Sequence, residues 1–211
     1  MKNKILVLTI KIALKLHSFC YRLVSRLGKK IEKQGIHPKH RIMNYHQFFV
    51  DNIDKEDVVL DVGCGNGALA CDVAKKAREV IGIDIEKKNI KFANKNYKRE
   101  NLKFVIGDST KYKFNRKFDV IILSNVLEHI ENRAEFLHKI RNLAPKILIR
   151  VPMINRDWLV LYKREMGLEW RADKTHYIEY TLESFQEELQ KANLKIDKFS
   201  IQFGEIWTAV K

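Results

Sequence analysis

Three glycines and three aspartates are the residues of this 211-residue chain whose types and spacing can do chemistry. Gly63, Gly65 and Gly67 fall at every second position after the apolar run Val58-Val59-Leu60-Asp61-Val62, and Ala68-Leu69-Ala70 opens a helical pattern behind them. A strand that turns through glycine into a helix presents backbone N–H groups and the positive end of a helix dipole, and glycine lets a ligand come close to both. Such a turn binds a polar ligand. Asp61 stands directly before it, Asp84 ends a second apolar run and Asp108 ends a third. Ligands of an open α/β sheet sit beyond the C-terminal ends of the strands, and an acid about twenty residues past the glycines can accept both hydroxyls of a ribose. Taken singly, each acid also suits a helix N-cap or a turn. Taken with the glycines, they point to a ligand that contains a nucleoside.

These residues need a sheet to position them, and the sequence supplies its parts. Short β-branched runs at 58–62, 79–84, 103–107, 118–124 and 146–151 alternate with helical patterns at 67–77, 86–97 and 130–143. That rhythm is the pattern of βαβ units and a parallel sheet covered on both faces. After Pro152 it breaks. Residues 154–180 carry Trp158, Tyr162, Trp170, His176, Tyr177 and Tyr180 and are expected to form an insertion over the strand ends, able to stack a sugar or quinone ring. A capped helix over 182–192 and strands over 195–202 and 205–210 close the sheet. The expected class is α/β, a Rossmann-like, doubly wound, mostly parallel seven-stranded sheet with an N-terminal helical extension.

Charge is distributed unevenly. Residues 1–41 hold eleven Lys and Arg against Glu32, so +10 of the +14 net charge lies in an N-terminal arm. Lys4, Lys11, Lys15, Arg22, Arg26 and Lys33 share one side of a helix, and Ile5, Leu6, Leu8, Ile12, Leu16, Phe19, Leu23 and Leu27 fill another. Residues 1–35 therefore read as a basic amphipathic arm for an anionic membrane surface, with packing on the domain or in a partner groove as the alternative and nucleic acid ranked below both, since phosphate contacts need no such apolar width. The expected placement is cytoplasmic, peripheral on the inner face of the membrane. Lys11 and Lys15 interrupt the apolar run well short of the ~20 residues a bilayer span needs, and a signal peptide fits poorly. Gly28 and Gly35-Ile36-His37-Pro38 are expected to end the arm. A second helix, Arg41 to Asn52, would lid the pocket or simply dock on the domain, within a linking segment 36–56. Cys20, Cys64 and Cys71 form no CxxC pair and read as reduced thiols.

The segments VVLDVGCGNG, VIGIDIE, FVIGDST and FDVIILSNVLEHI, in this order, resemble the successive signature segments of class I S-adenosylmethionine-dependent methyltransferases. The resemblance covers residues 57–211. It implies that Asp61 and the backbone of Gly63, Gly65 and Gly67 surround the methionine part of the cofactor S-adenosyl-L-methionine. It places Asp84 on the ribose, Asp108 at the adenine amino group, Ile85 and Ser109 at the rims of the adenine slot, and Ser124 and Asn125 beneath the sulfonium. The competing class is a nicotinamide oxidoreductase, because Gly63 to Ala68 also fits G-x-G-x-x-A. Asp61 speaks against it, since a carboxylate repels a pyrophosphate and attracts a cationic amino acid.

Methyl transfer from a sulfonium needs positioning and dryness above all, and a base where the acceptor is a hydroxyl. His129 and His176 are the candidate bases, each with a purely structural role as the alternative. Ubiquinone-pathway and small-RNA O-methyltransferases of this class carry a metal-binding Glu-x-x-Glu-His where this chain has Asn125-Val126-Leu127-Glu128-His129. The loss of the first carboxylate removes a ligand, and no metal is expected. IHPKHRIMNYHQFFVDNI and ADKTHYIEYTLESFQEEL are similar to methyltransferases of cell-surface glycan and lipid-linked sugar pathways. The expected acceptor is a small molecule, a glycan or a lipid-linked group. A nucleic-acid acceptor ranks lower, because the basicity belongs to the arm.

Overall fold

The computed structural model describes residues 2–32 and 37–211. Seven strands form one sheet in the order β3-β2-β1-β4-β5-β7-β6. They are β1 (Val58–Val62), β2 (Glu79–Asp84), β3 (Leu102–Ile106), β4 (Val120–Ser124), β5 (Lys146–Pro152), β6 (Ile196–Gln202) and β7 (Glu205–Val210). The first five run parallel, and β7 lies antiparallel between β5 and β6. β1 therefore has β2 on one side and β4 on the other, so strand order reverses at β1, where an α/β sheet opens its ligand crevice.

The alternation of side chains along each strand splits the core in two. On one face Leu60, Val62, Ile121, Leu123, Ile149 and Val151 pack with residues of α6 (Arg133–Arg141) and α8 (Leu182–Lys191). On the other, Val59, Val120, Ile122 and Leu148 meet Tyr45 and Phe49 of α3 (Tyr45–Asp51) and Leu69, Ala70 and Val73 of α4 (Ala68–Val73). The expected parallel, twice-covered architecture is the one found. α8 starts at the Thr181 cap, whose hydroxyl accepts from Ser184 N–H at 3.2 Å while Ser184 Oγ accepts from Thr181 N–H at 3.0 Å.

Several local expectations need correction. The first helix, α1 (Lys2–Ile31), runs through Gly28 instead of ending there. A Cβ at Gly28 would lie 3.2 Å from Pro38 Cγ, so this glycine permits a close crossing of two segments. The expected break at Gly35-Ile36 falls outside the described residues, as does Lys33 of the basic stripe. The single helix expected over 41–52 is two, α2 (Pro38–Met43) and α3, parted by Asn44 at φ 47°. α4 is shorter than 67–77 because Ala74 to Arg78 turn back toward β2. Before α6 the chain makes a 3₁₀ turn, Leu127–His129, instead of starting a helix at 130. The remaining helices are α5 (Lys87–Asn96) and α7 (Trp158–Glu165), the latter inside the aromatic segment, where no helix was expected.

Candidate active site

Each acid sits where its strand ends, and the glycine turn is shaped to receive a ligand among them. Gly63, Gly65 and Gly67 all take positive φ, at 64°, 55° and 83°. A Cβ at Gly63 would meet Val126 at 2.8 Å, and one at Gly67 would meet Phe104 at 2.6 Å, so the turn is pressed between its neighbours and closes tightly. Asp84 fixes it from the side. One carboxylate oxygen accepts from Gly65 N–H at 2.8 Å, and the other from Glu86 N–H at 2.7 Å.

Beyond these strand ends lies a cleft of about 1090 Å³. Of the expected cofactor residues, Gly63, Asp84, Ile85, Asp108, Ser109 and Asn125 line it, as does His129. Asp61, Gly65, Gly67, Ser124 and His176 do not. The cleft is acidic although the chain is basic: Asp84, Glu86, Asp108, Glu131, Glu135 and Asp173 outnumber Lys111 and Lys139. Asp108 is held below the usual carboxylate range by the hydroxyl of Thr110, which donates to it at 2.6 Å.

Asp61 is buried in β1, two residues before the glycine turn whose Gly63 lines the cleft. It is 1% exposed, and its Oδ2 has no hydrogen-bond partner among the described residues. Burial, and secondarily the negative charge of Asp84, push its carboxyl up to about 8. Neither α2 nor α3 is among the elements lining the cleft, and of the two expected arrangements, a lid or a docked helix, the docked one describes how they pack over buried charge. The Tyr45 ring covers the guanidinium of Arg150 at 3.5 Å, and Arg150 Nε lies 3.4 Å from Glu205 Oε2. Two Arg150 nitrogens, Nε and Nη1, lack hydrogen-bond acceptors among the described residues. Lys39 of α2 reaches the same cluster, where burial and Arg150 lower its ammonium. Sequence reasoning missed Arg150, Tyr45 and Glu205. The available signal was an arginine inside the apolar run Lys146-Ile147-Leu148-Ile149-Arg150-Val151, since a buried strand carries a charge only with partners.

On the acceptor side the two expected bases meet. The rings of His129 and His176 lie 4.6 Å apart at 77°. His176 is buried and its Nδ1 lies 3.0 Å from Glu179 Oε1, while Arg156 and the Ala172 N–H donate to the same carboxylate. His129 Nδ1 lies 2.9 Å from the Thr175 hydroxyl. Burial and His176 lower the His129 imidazole below its usual value, so it stays neutral and able to accept a proton near pH 7.

Glu128, adjacent in the 3₁₀ turn, is fully buried. Its Oε1 accepts from Asn125 Nδ2 at 2.8 Å, its Oε2 is unpartnered, and burial raises its carboxyl to about 7. Asn125 holds its place at φ 57°, a backbone region asparagine tolerates better than most residues. Ligand atoms of Glu128, His129 and His176 lie within 4.8 Å of one another. Two imidazoles and a carboxylate are chemically suited to a divalent cation, so the cluster supplies three donors even with asparagine in the first position.

The family model described as methyltransferase domain matches residues 53–201. A ubiquinone biosynthesis O-methyltransferase of Rickettsia bellii is 31% identical over 149 residues, covering 66% of this chain and 62% of the relative. The corresponding protein of Rickettsia canadensis is 35% identical over 125 residues, 56% of this chain and 53% of its own. The match thus spans less than two thirds of these curated relatives. Among solved structures, the magnesium protoporphyrin IX methyltransferase of Synechocystis with bound S-adenosylhomocysteine superposes with a TM-score of 0.64 at 19% identity, covering 82% of each chain. An S-adenosylmethionine-dependent methyltransferase of Clostridium acetobutylicum gives 0.63 at 13% identity over 93% of this chain and 98% of its own.

Proposed function

Because this chain belongs to the methyltransferase-domain family, with the fold of class I S-adenosylmethionine-dependent enzymes, we propose that it moves a methyl group from S-adenosylmethionine to an oxygen of a small-molecule, glycan or lipid-linked acceptor. The observation that carries this reading is Asp61, a buried carboxyl without a partner at the tip of β1. An uncharged ligand leaves that group unsatisfied, a phosphate is repelled by it, and an ammonium compensates it. The acidic cleft argues the same way against a nicotinamide dinucleotide and against a nucleic-acid backbone, and in favour of a cationic cofactor.

When bound, S-adenosylmethionine supplies a methyl carbon whose sulfur leaves as a neutral thioether while an acceptor oxygen attacks from the opposite side. The chain's residues position that event. Asp84 would accept from the ribose hydroxyls with the lone pairs left by Gly65, Glu86 and Asn89, and Asp108 would stand at the adenine end. His129 faces the cleft and takes the acceptor proton on Nε2, since its Nδ1 faces Thr175. His176 is a positioning residue. Glu179 holds its Nδ1, and its ring braces His129 from behind. An O-linked product also fits the names of the ubiquinone-pathway relatives.

Calorimetry tests the assignment. The purified chain is expected to bind S-adenosylmethionine, and Asp84→Ala to weaken binding by about a hundredfold, the loss of one or two charge-assisted hydrogen bonds. Binding of NADH in place of S-adenosylmethionine reverses the class.

A further inference from the structure

We propose that α1 is a docking surface for an anionic lipid bilayer, lying in its interface with the axis parallel to the membrane. The helix has three distinct faces. Ile10, Leu14, Ser18, Ser25 and Gly28, separated by four, four, seven and three residues, form the side turned to the domain: Leu14 is buried and the others are half-buried. Contacts from this helix hold it in place, with Ser25 Oγ 2.8 Å from His37 Nε2 and His17 Nδ1 3.3 Å from Lys163 Nζ of α7.

The second face is apolar and has no partner among the described residues. Ile5, Ile12, Leu16, Phe19, Leu23 and Leu27 follow at steps of seven, four, three, four and four. Ile5, Ile12, Leu16 and Phe19 are 63%, 59%, 58% and 56% exposed. A helix that merely packed on its own domain would bury this row, and this one turns it outward. The third face, between the other two, is basic: Lys4, Lys11, Lys15, Arg22 and Arg26.

Charge chooses the occupant. From Lys2 to Ile31 there are eight basic residues and no acid. The first acid, Glu32, is already paired with Arg41 at 2.7 Å. A second copy of this face would bring eight positive charges against eight, with no acid to interleave. A nucleic acid compensates the charge and leaves the apolar row in water. An anionic bilayer answers both faces at once, taking the row among its acyl chains and the lysines among its headgroups. No described helix is long and apolar enough to cross a membrane, so α1 lies on the surface. α7, which α1 touches through Lys163, itself exposes Trp158 at 69%, and an indole is favoured at a headgroup boundary.

The docked helix leads directly to the catalytic half of the molecule. His37, held by Ser25, caps α2 by accepting from Lys39 N–H at 3.1 Å, and α2 continues into the Tyr45 roof over Arg150. An enzyme held in this way works beside an acceptor that resides in the bilayer.

The full-length chain is tested by co-sedimentation with vesicles of phosphatidylcholine alone and of equal parts phosphatidylcholine and phosphatidylglycerol. Binding is expected only to the anionic vesicles. Lys11→Gln with Lys15→Gln is expected to weaken it about thirtyfold, because each basic residue at such a surface contributes about fivefold. Phe19→Glu is expected to abolish it. Lys15 and Phe19 are exposed and Lys11 is half-buried, and an unaltered thermal unfolding midpoint in both variants shows that the fold is intact. Absence of wild-type binding to anionic vesicles overturns the proposal, as does full binding by Phe19→Glu. A dimer in analytical ultracentrifugation that Phe19→Glu dissociates overturns it in favour of a second copy. Equal retention of both variants on duplex DNA, with no vesicle binding, overturns it in favour of nucleic acid.

Discussion

Asp61→Asn is the substitution that tests the cofactor site most directly. The carboxyl titrates near 8 instead of 3.8, because it is buried without a partner and faces the charge of Asp84. At pH 7 it is therefore about nine-tenths protonated. Binding a cationic cofactor converts it to the carboxylate and releases most of a proton at pH 7, whereas at pH 9, where the free α-amino group of the cofactor is largely neutral, binding as the ammonium takes a proton up instead. The assay is calorimetric titration of S-adenosylmethionine in buffers of different ionisation enthalpy, whose slope counts the protons. The asparagine variant keeps the shape of the side chain and is expected to bind more weakly with that proton missing from the count. The same shift acts on stability. A carboxyl raised in the folded state favours folding fully below about pH 4, and that contribution is lost as pH rises toward 8. By pH 7 the loss approaches about 4 kcal/mol as an upper limit, so the cofactor-free asparagine variant is expected to be more stable than wild type at pH 7 and no more stable at pH 4. A buffer-independent binding enthalpy at pH 7, or a variant equally destabilised at both pH values, refutes the reasoning.

Two further outcomes follow from the buried charges. Arg150→Met alone leaves Glu205 buried with only Lys39 and the Trp207 N–H to answer its charge. It is expected to destabilise the chain in urea unfolding by less than the about 3–5 kcal/mol of a fully orphaned charge, whereas Arg150→Met with Glu205→Gln is expected to recover most of that loss. Equal losses in single and double variants would show that the pair does not act as a unit. His129→Ala is expected to lower kcat by about a hundredfold or more with little change in cofactor affinity, and to remove the acidic limb of the pH profile, which lies below pH 6.5 because burial lowers the imidazole. Glu179→Gln is expected to shift that limb while preserving the fold, a change that a merely structural His176 does not produce.

The strands were legible because a parallel sheet covered on both faces demands uninterrupted apolar runs, and β1, β2 and β7 begin and end where those runs do. Positive φ at the glycine turn was legible too, since few residues other than glycine accept it. What escaped was set by contacts distant in sequence. Nothing local to Asn44 announces that it divides two helices, and Gly28 looks like a helix end until Pro38 is seen against it. Asp61 was expected beside the methionine part of the cofactor, but its complete burial without a hydrogen-bond partner among the described residues depends on the packing of α3 and β4 around the strand end. Arg150 finds Glu205 only because β7 runs antiparallel to β5, a pairing that joins residues far apart in the chain. Glu128 was considered only as a metal ligand, and its burial became visible once the insertion was seen to cover it.

That insertion has a neck. Ile154 N–H donates to Tyr180 O at 2.9 Å and Tyr180 N–H to Pro152 O at 3.0 Å, so the chain enters and leaves the segment through a single pinch beside the sheet. A loop closed at its own base transmits little strain to what lies beneath it, and doubling its length adds only about 0.6 kcal/mol of closure cost. Its exposed parts, around Trp158 and Lys174, can change in length and side-chain content without re-registering a strand, whereas Arg156, His176 and Glu179 are tied to the site and must stay. Substrate range can thus diverge within the segment while the sheet below remains untouched.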